Sequence, residues 1–270
     1  MGLCSGIFDS HAHYFDRRFE NETDGADAVL ARDVFDAGID GVINVATNVQ
    51  TTKLCIEQAA KYEKMYASAG IHPEDVQYCE NDIDTELQRL VSLIGSREEA
   101  LKNKIVAIGE IGLDYHYEET NKEMQIALFR RQMAMAQQLG LPVVIHDRDA
   151  HEDVMAVIRD FPAVRGVMHS FSGSAEMAKE LVKLGYMISF SGTVTFKNAR
   201  KPKEAAAVVP NDRILIETDA PYLAPHPLRG SLNHSGNLEY TNRAVAEIKG
   251  MSEEECAALT ETNARRFFGI

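Results

Sequence analysis

Tryptophan is absent, and 270 residues hold only four cysteines and eight prolines. Cys4, Cys55, Cys79 and Cys256 are scattered, with no Cys-x-x-Cys pair. That spacing excludes a disulfide framework or thiolate zinc site and fits reduced thiols in a cytoplasmic protein. No apolar run approaches the roughly 18 residues of a membrane-spanning helix, so no such helix is expected. The first residues lack a basic stretch followed by an apolar core, so no signal peptide is expected. Positive charge is also scarce: 28 Lys and Arg stand against 41 Asp and Glu, a net charge of −13. Tight sequence-independent binding along duplex nucleic acid is driven by Lys and Arg and does not suit such a surface. An anionic substrate would need local positive charge, which bound metal ions can supply.

What is present is a globular composition, 45% hydrophobic and 26% charged. Short apolar runs alternate with helix-length amphipathic segments. The strand-like runs are 6–8, 41–45, 65–70, 105–109, 142–145, 166–168, 186–190 and 213–216. Several are continuously apolar or β-branched, as expected of parallel strands buried on both faces. Between them, 26–37 places Val29, Leu30, Val34 and Ala37 on one helical face. Segment 123–139 does the same with Met124, Leu128, Met135 and Leu139, and Gly140 and Pro142 follow as stop signals. Segment 175–184 ends at Gly185, and the last helix opens on the capping-box pattern Ser252-Glu253-Glu254-Glu255 and runs to about Phe267. Eight strands alternating with helices predict an α/β fold, a (β/α)8 TIM barrel, in one domain covering 1–270. No Gly-x-Gly-x-x-Gly follows a strand to support the alternative, a doubly wound dinucleotide-binding sheet. Residues 221–239, rich in Pro, Gly, Asn and Ser, read as one long loop after the last strand.

Residues able to bind metal recur at the strand ends. His11 and His13 follow the first run; two residues apart on an extended strand, their side chains point the same way. Later runs lead to Ile71-His72-Pro73, Glu110 with Asp114, His146-Asp147-Arg148, His169 and Glu217-Thr218-Asp219. Barrel active sites are built at this face from several strand ends. His11, His13, Glu110, His146, His169 and Asp219 exceed the three protein ligands usual for one catalytic zinc. They suit two divalent ions sharing Glu110, with His11, His13 and Asp219 on one and His146 and His169 on the other. Mixed imidazole and carboxylate donors fit Zn, Mn or Ni, and Mg less selectively. Asp219 is placed to activate water, His72 to donate to a phosphate oxygen, and Arg148 and Arg229 to grip phosphate.

The ordered set Phe8-Asp9-Ser10-His11-Ala12-His13, Gly70-Ile71-His72-Pro73, Gly109-Glu110-Ile111-Gly112-Leu113-Asp114, His146-Asp147-Arg148-Asp149-Ala150, His169-Ser170-Phe171-Ser172-Gly173 and Glu217-Thr218-Asp219-Ala220-Pro221 resembles the TatD family of metal-dependent deoxyribonucleases. The resemblance extends to Ile188-Ser189-Phe190-Ser191-Gly192 and Asn263-Ala264-Arg265-Arg266-Phe267-Phe268 and covers almost the whole chain. It implies a TIM barrel of the amidohydrolase superfamily that cleaves phosphodiesters, often at a DNA 3′ end, and the same six metal ligands. The family commonly shows Arg-Gly-Lys-x-Asn-Glu-Pro after the eighth strand. Here Arg229-Gly230-Ser231-Leu232-Asn233-His234-Ser235 keeps Arg229 and Asn233, the expected substrate contacts, without the Lys, Glu and Pro; His234 reads as a solvated loop residue. The expected partner is a DNA or nucleotide phosphodiester, with no membrane and no obligatory protein partner. The alternative is ester, lactone or amide hydrolysis at the same binuclear site. Many amidohydrolase barrels bridge their metals with a carboxylated lysine at strand four; Glu110 occupies that place here and favours the TatD-type reaction.

Overall fold

The all-apolar expectation for the first strand gives way to six buried residues, Ile7–Ala12 (β1), of which Asp9, Ser10 and His11 are polar. The computed structural model describes residues 6–78, 83–117 and 120–270, so Cys4 and Cys79 lie outside the described residues. The other strands are Ile39–Asn44 (β2), Met65–Ala69 (β3), Ile105–Asp114 (β4), Val143–Arg148 (β5), Gly166–Met168 (β6), Met187–Phe190 (β7) and Ile214–Ile216 (β8). They follow chain order in one eight-stranded sheet. The ladders β1–β2, β3–β4, β4–β5, β5–β6 and β7–β8 are all parallel. The chain just beyond β8 returns to β1: Asp219 N–H donates to His11 O at 2.9 Å and His13 N–H to Ala220 O at 2.6 Å. First and last strands therefore meet, and the fold is the expected (β/α)8 barrel. Among the described residues, no helix is long and apolar enough to cross a membrane.

Packing separates the chain into two compact units, one combining 1–44 with 169–270 and the other 45–168. In the first, Phe8, Phe19, Leu30, Ile43, Phe190 and Leu215 are buried. Helix Glu253–Phe268 is started by a reciprocal Ser252–Glu255 capping box and stopped by Gly269 in the left-handed region. The expected helix 26–37 is an α-helix only over Ala26–Val29 and continues as a wider π-helix over Leu30–Phe35. The wider coil buries Val29, Leu30 and Val34 together. The stretch 221–239 is not one loop: a 3-10 turn forms at Ser235–Asn237 and a helix begins at Leu238.

In the second unit, Ile105, Ile108, Phe129, Val143, Ile145 and Val157 are buried. Helix Lys122–Leu139 is capped by Asn121 at its start and Gly140, with φ of 61°, at its end. β4 runs five residues past its expected end because Gly112, Leu113 and Asp114 continue the ladder opposite His146, Asp147 and Arg148 of β5. The strands approach so closely at Gly112 that a Cβ there would lie 2.0 Å from the carbonyl oxygen of His146. Glycine at that point is what allows β4 to carry Glu110 and Asp114 alongside His146. The described cysteines, Cys55 and Cys256, are free thiols as expected; both are buried, and burial pushes the Cys256 thiol up to about 12.

Candidate metal centre

In the first unit, β1 delivers His11 and His13 two residues apart, and the turn after β8 delivers Asp219. The two Nε2 atoms lie 3.0 Å from one another. Asp219 Oδ1 lies 3.5 Å from His11 Nε2 and 3.3 Å from His13 Nε2. Ligand atoms 2.0–2.1 Å from an ion stand about 3.4 Å apart in a tetrahedron and about 2.9 Å in an octahedron. The observed separations span both, so the trio fits a divalent cation. Burial raises the Asp219 carboxyl, but the His13 hydrogen bond and the charges of His169, His11 and His13 outweigh it and hold it below the usual carboxylate range.

His169 follows β6 and stacks on His11, with ring centroids 4.1 Å apart. Its Nδ1 donates to Glu217 Oε1 at 3.1 Å, and the same oxygen accepts the Ser170 N–H at 2.7 Å. A carboxylate on one ring nitrogen fixes the tautomer and leaves Nε2 as the nitrogen able to coordinate a metal. Beneath these residues, Asp9 accepts from the N–H groups of His11 and Thr218 and from the hydroxyls of Thr218 and Ser235. It thereby ties β1 to both the β8 turn and the loop that follows. Complete burial pushes its pKa up to about 6 despite those four bonds.

The second unit holds a matching group. His146 lies between two carboxylates, Nδ1 2.9 Å from Glu110 Oε1 and Nε2 2.9 Å from Asp114 Oδ2. His72 Nε2 lies 3.6 Å from the same Glu110 oxygen. Its Nδ1 accepts the Glu74 N–H at 3.1 Å, which places the proton of the neutral ring on Nε2. His72 therefore keeps the turn before Pro73 and turns a protonated Nε2 towards Glu110; it would join Glu110 and His146 around an ion only if that nitrogen gave up its proton. For Asp114, burial raises the pKa, but the His146 hydrogen bond, the His116 N–H and the charges of His146 and Arg148 bring it below its ordinary value.

Among the expected substrate contacts, Arg148 is half-exposed, 3.9 Å from Asp114 Oδ2 and with its guanidinium 5.7 Å from the centre of the Tyr117 ring. Arg229 is exposed and lies over Phe196 at 4.8 Å. Asn233 is fully buried. Its amide donates to the carbonyls of Thr218 and Tyr222, and its carbonyl accepts from the His234 N–H and the Asn237 amide. Asn233 thus fastens the loop after Asp219. His234 is partly buried rather than solvated, and burial lowers its pKa.

The sequence suggests Asp114 only as a structural partner of Arg148 and leaves Glu217 without a role, whereas the structure sets these two carboxylates against His146 and His169. A signal was available: Asp114 is four residues from Glu110 and Glu217 two from Asp219, so alternation along an extended chain sends each pair to one side.

The family model described as TatD related DNase matches residues 8–269. The chain belongs to the TatD family. It is 40% identical to the uncharacterized metal-dependent hydrolase YabD of Bacillus subtilis (strain 168), over 98% of this chain and 99% of that protein. It is 34% identical to the uncharacterized metal-dependent hydrolase TatD of Mycobacterium tuberculosis, over 98% of each. Among solved structures it resembles the TatD homolog YJJV from Escherichia coli K12, with a TM-score of 0.86 and 27% identity, covering 99% of this chain and all of that one. This TatD-family chain is accordingly a metal-dependent hydrolase, and the two donor groups are where its side chains could hold metal.

Proposed function

We propose that the chain is a phosphodiester hydrolase of the cytoplasm, a deoxyribonuclease acting on DNA 3′ ends or short single strands, with residues 1–270 forming one catalytic domain and no obligatory protein partner. The observation that supports it most is the mixed imidazole–carboxylate donor set found in both units, His11, His13 and Asp219 in one and Glu110 with His146 in the other. On this reading His11, His13, Glu110, His146, His169 and Asp219 hold two divalent ions, Zn, Mn, Mg or Ni, with Glu110 the shared carboxylate. Ions bound there lower the pKa of water and neutralise phosphate charge.

The protein's own groups do the rest. Asp219, held ionised by its histidine neighbours, orients the attacking water and accepts its proton. His72 carries its proton on Nε2 and donates it in a hydrogen bond to a phosphate oxygen. Arg148 and Arg229 grip phosphate through their forked donors. Asn233 serves the substrate by fixing the loop that presents Arg229. Asp114 and Glu217 keep His146 and His169 in the ligating tautomer.

The test is metal content and turnover of bis(p-nitrophenyl) phosphate and of a 3′-labelled single strand, for the wild type and for Glu110→Ala. The variant is expected to lose both metal and hydrolysis. Retained metal with full activity would refute the shared-ligand role. Turnover of esters or lactones in place of every phosphodiester would refute the nuclease reading.

A further inference from the structure

Four of the chain's 28 Lys and Arg fall within seven residues, Lys197, Arg200, Lys201 and Lys203, with no carboxylate among them. In a chain of net charge −13 this is a local reversal of sign. Four arginines elsewhere sit close to carboxylates, Arg18 to Glu22, Arg32 to Asp33, Arg243 to Glu253 and Arg265 to Glu261, all between 2.7 and 2.9 Å. Here the one ion pair is Arg200 with Glu204, at 3.7 Å between exposed side chains. Lys197, Lys201 and Lys203 have no ion-pair partner among the described residues. Arg200, Lys201 and Lys203 also fall in the first turn of helix Arg200–Val208, which has no acidic residue in that turn. Cations at that end oppose the helix dipole, so stability of the fold does not account for them.

The place of this segment gives it a use. It leaves the C-terminal end of β7 and is sewn to the loop that begins at Asp219. His226 N–H donates to Thr195 Oγ1 at 2.7 Å, and Arg229 lies over Phe196. At Gly192 a Cβ would lie 2.2 Å from Leu223 O, so the two loops touch backbone to backbone. The segment that carries the cations at 197–203 is therefore packed against the loop that carries Arg229 and that begins at Asp219.

We propose that Lys197, Arg200, Lys201 and Lys203 form a docking ridge for the phosphates of a single-stranded nucleic acid beyond the nucleotide being cleaved. This rests on the nucleic-acid reading of the function. It reconciles a polyanionic substrate with an acidic protein, because attraction is confined to one wall. A flexible single strand can follow that wall while the remaining surface repels a long duplex.

The test compares the metal-loaded wild type with the variant Lys197→Gln, Arg200→Gln, Lys201→Gln and Lys203→Gln. The probe is a fluorescent, hydrolysis-resistant phosphorothioate strand of about 20 deoxythymidines, long enough to reach past the site. Losing four phosphate contacts should reduce the slope of log affinity against log salt by about 3 and weaken binding at least tenfold at low salt. Turnover of bis(p-nitrophenyl) phosphate, which has no distal phosphates, should be unchanged. An unaltered slope and affinity would overturn the ridge, as would an equal loss of binding for a two-nucleotide strand. Binding of poly-glutamate but not of the strand by the wild type would also overturn it, in favour of an acidic protein partner. If the wild type hydrolyses no phosphodiester, the proposed function fails, and the binding slopes still decide the ridge.

Discussion

Asp114 Oδ2 lies 2.9 Å from His146 Nε2, and the other nitrogen of that ring faces Glu110 at the same distance. The ring is thereby turned so that Nδ1 faces Glu110. Asp114→Asn keeps the shape but can no longer fix the tautomer, because an amide can donate as well as accept. The expected result is a 10- to 100-fold loss in metal affinity or activity, with Asp114→Glu restoring part of it. Metal titration separates this from a loss of stability, since the unfolding midpoint of the metal-free variant should stay close to that of the metal-free wild type.

Asp219 stands within 3.5 Å of two imidazole nitrogens and stays ionised despite its burial. Asp219→Asn retains an oxygen that can coordinate but removes the base. Metal is expected to remain at the first-unit group while kcat for bis(p-nitrophenyl) phosphate falls by a factor of about 100 to 10,000. An unchanged rate would exclude Asp219 from activating water.

Asp9 gives a pH signature. Its folded pKa is about 6 against 3.8 for the unconstrained group, with burial the cause. The folded state therefore holds the proton more tightly than the unfolded chain. Its contribution is fully present below about pH 4 and is lost as pH rises through 6, by up to roughly 3 kcal/mol at 1.36 kcal/mol per pH unit. Against Asp9→Asn, which cannot ionise, the wild-type stability advantage should therefore shrink between pH 4 and pH 7. Urea unfolding of both metal-free proteins across that range measures it. An advantage that stays constant or grows would contradict the assignment.

Lys104 Nζ donates to the carbonyls of Ala59, Tyr62 and Glu63, between 2.9 and 3.0 Å, and so closes the C-terminal end of helix Val49–Lys61. Charge and hydrogen bonds both favour a cation there. Lys104→Met keeps most of the stem and removes the ammonium. The expected cost is about 1–2 kcal/mol in urea unfolding, with metal affinity and KM unchanged.

The barrel is legible in the sequence because its signal is periodic and local. Runs such as 166–168 and 213–216 are short and apolar, and Gly140 and Gly185 mark where helices must stop. Where buried polar residues interrupt the pattern, the sequence hides the strand limits. The apolar run at the start of β1 ends at Phe8, because Asp9, Ser10 and His11 do not look like core. They are buried because partners more than 200 residues away accept or donate their hydrogen bonds: Ile216 to Ser10, Thr218 and Ser235 to Asp9. The apolar run of β4 ends at Gly109, and its extension depends on β5 lying beside it.

The chemistry divides along the same line. Which side chains can ligate was written in the chain, since imidazole and carboxylate at successive strand ends carry their donor atoms with them. Which carboxylates ligate and which steer was not. Asp114 and Glu217 stand two to four residues from other acids of the same motifs, and their assignment depends on which ring nitrogen they reach. Asn233 makes the same point, because its polar amide is engaged by four groups that the fold alone brings around it. Hydrogen bonds act over about 3 Å, and only the folded backbone brings distant residues within that reach.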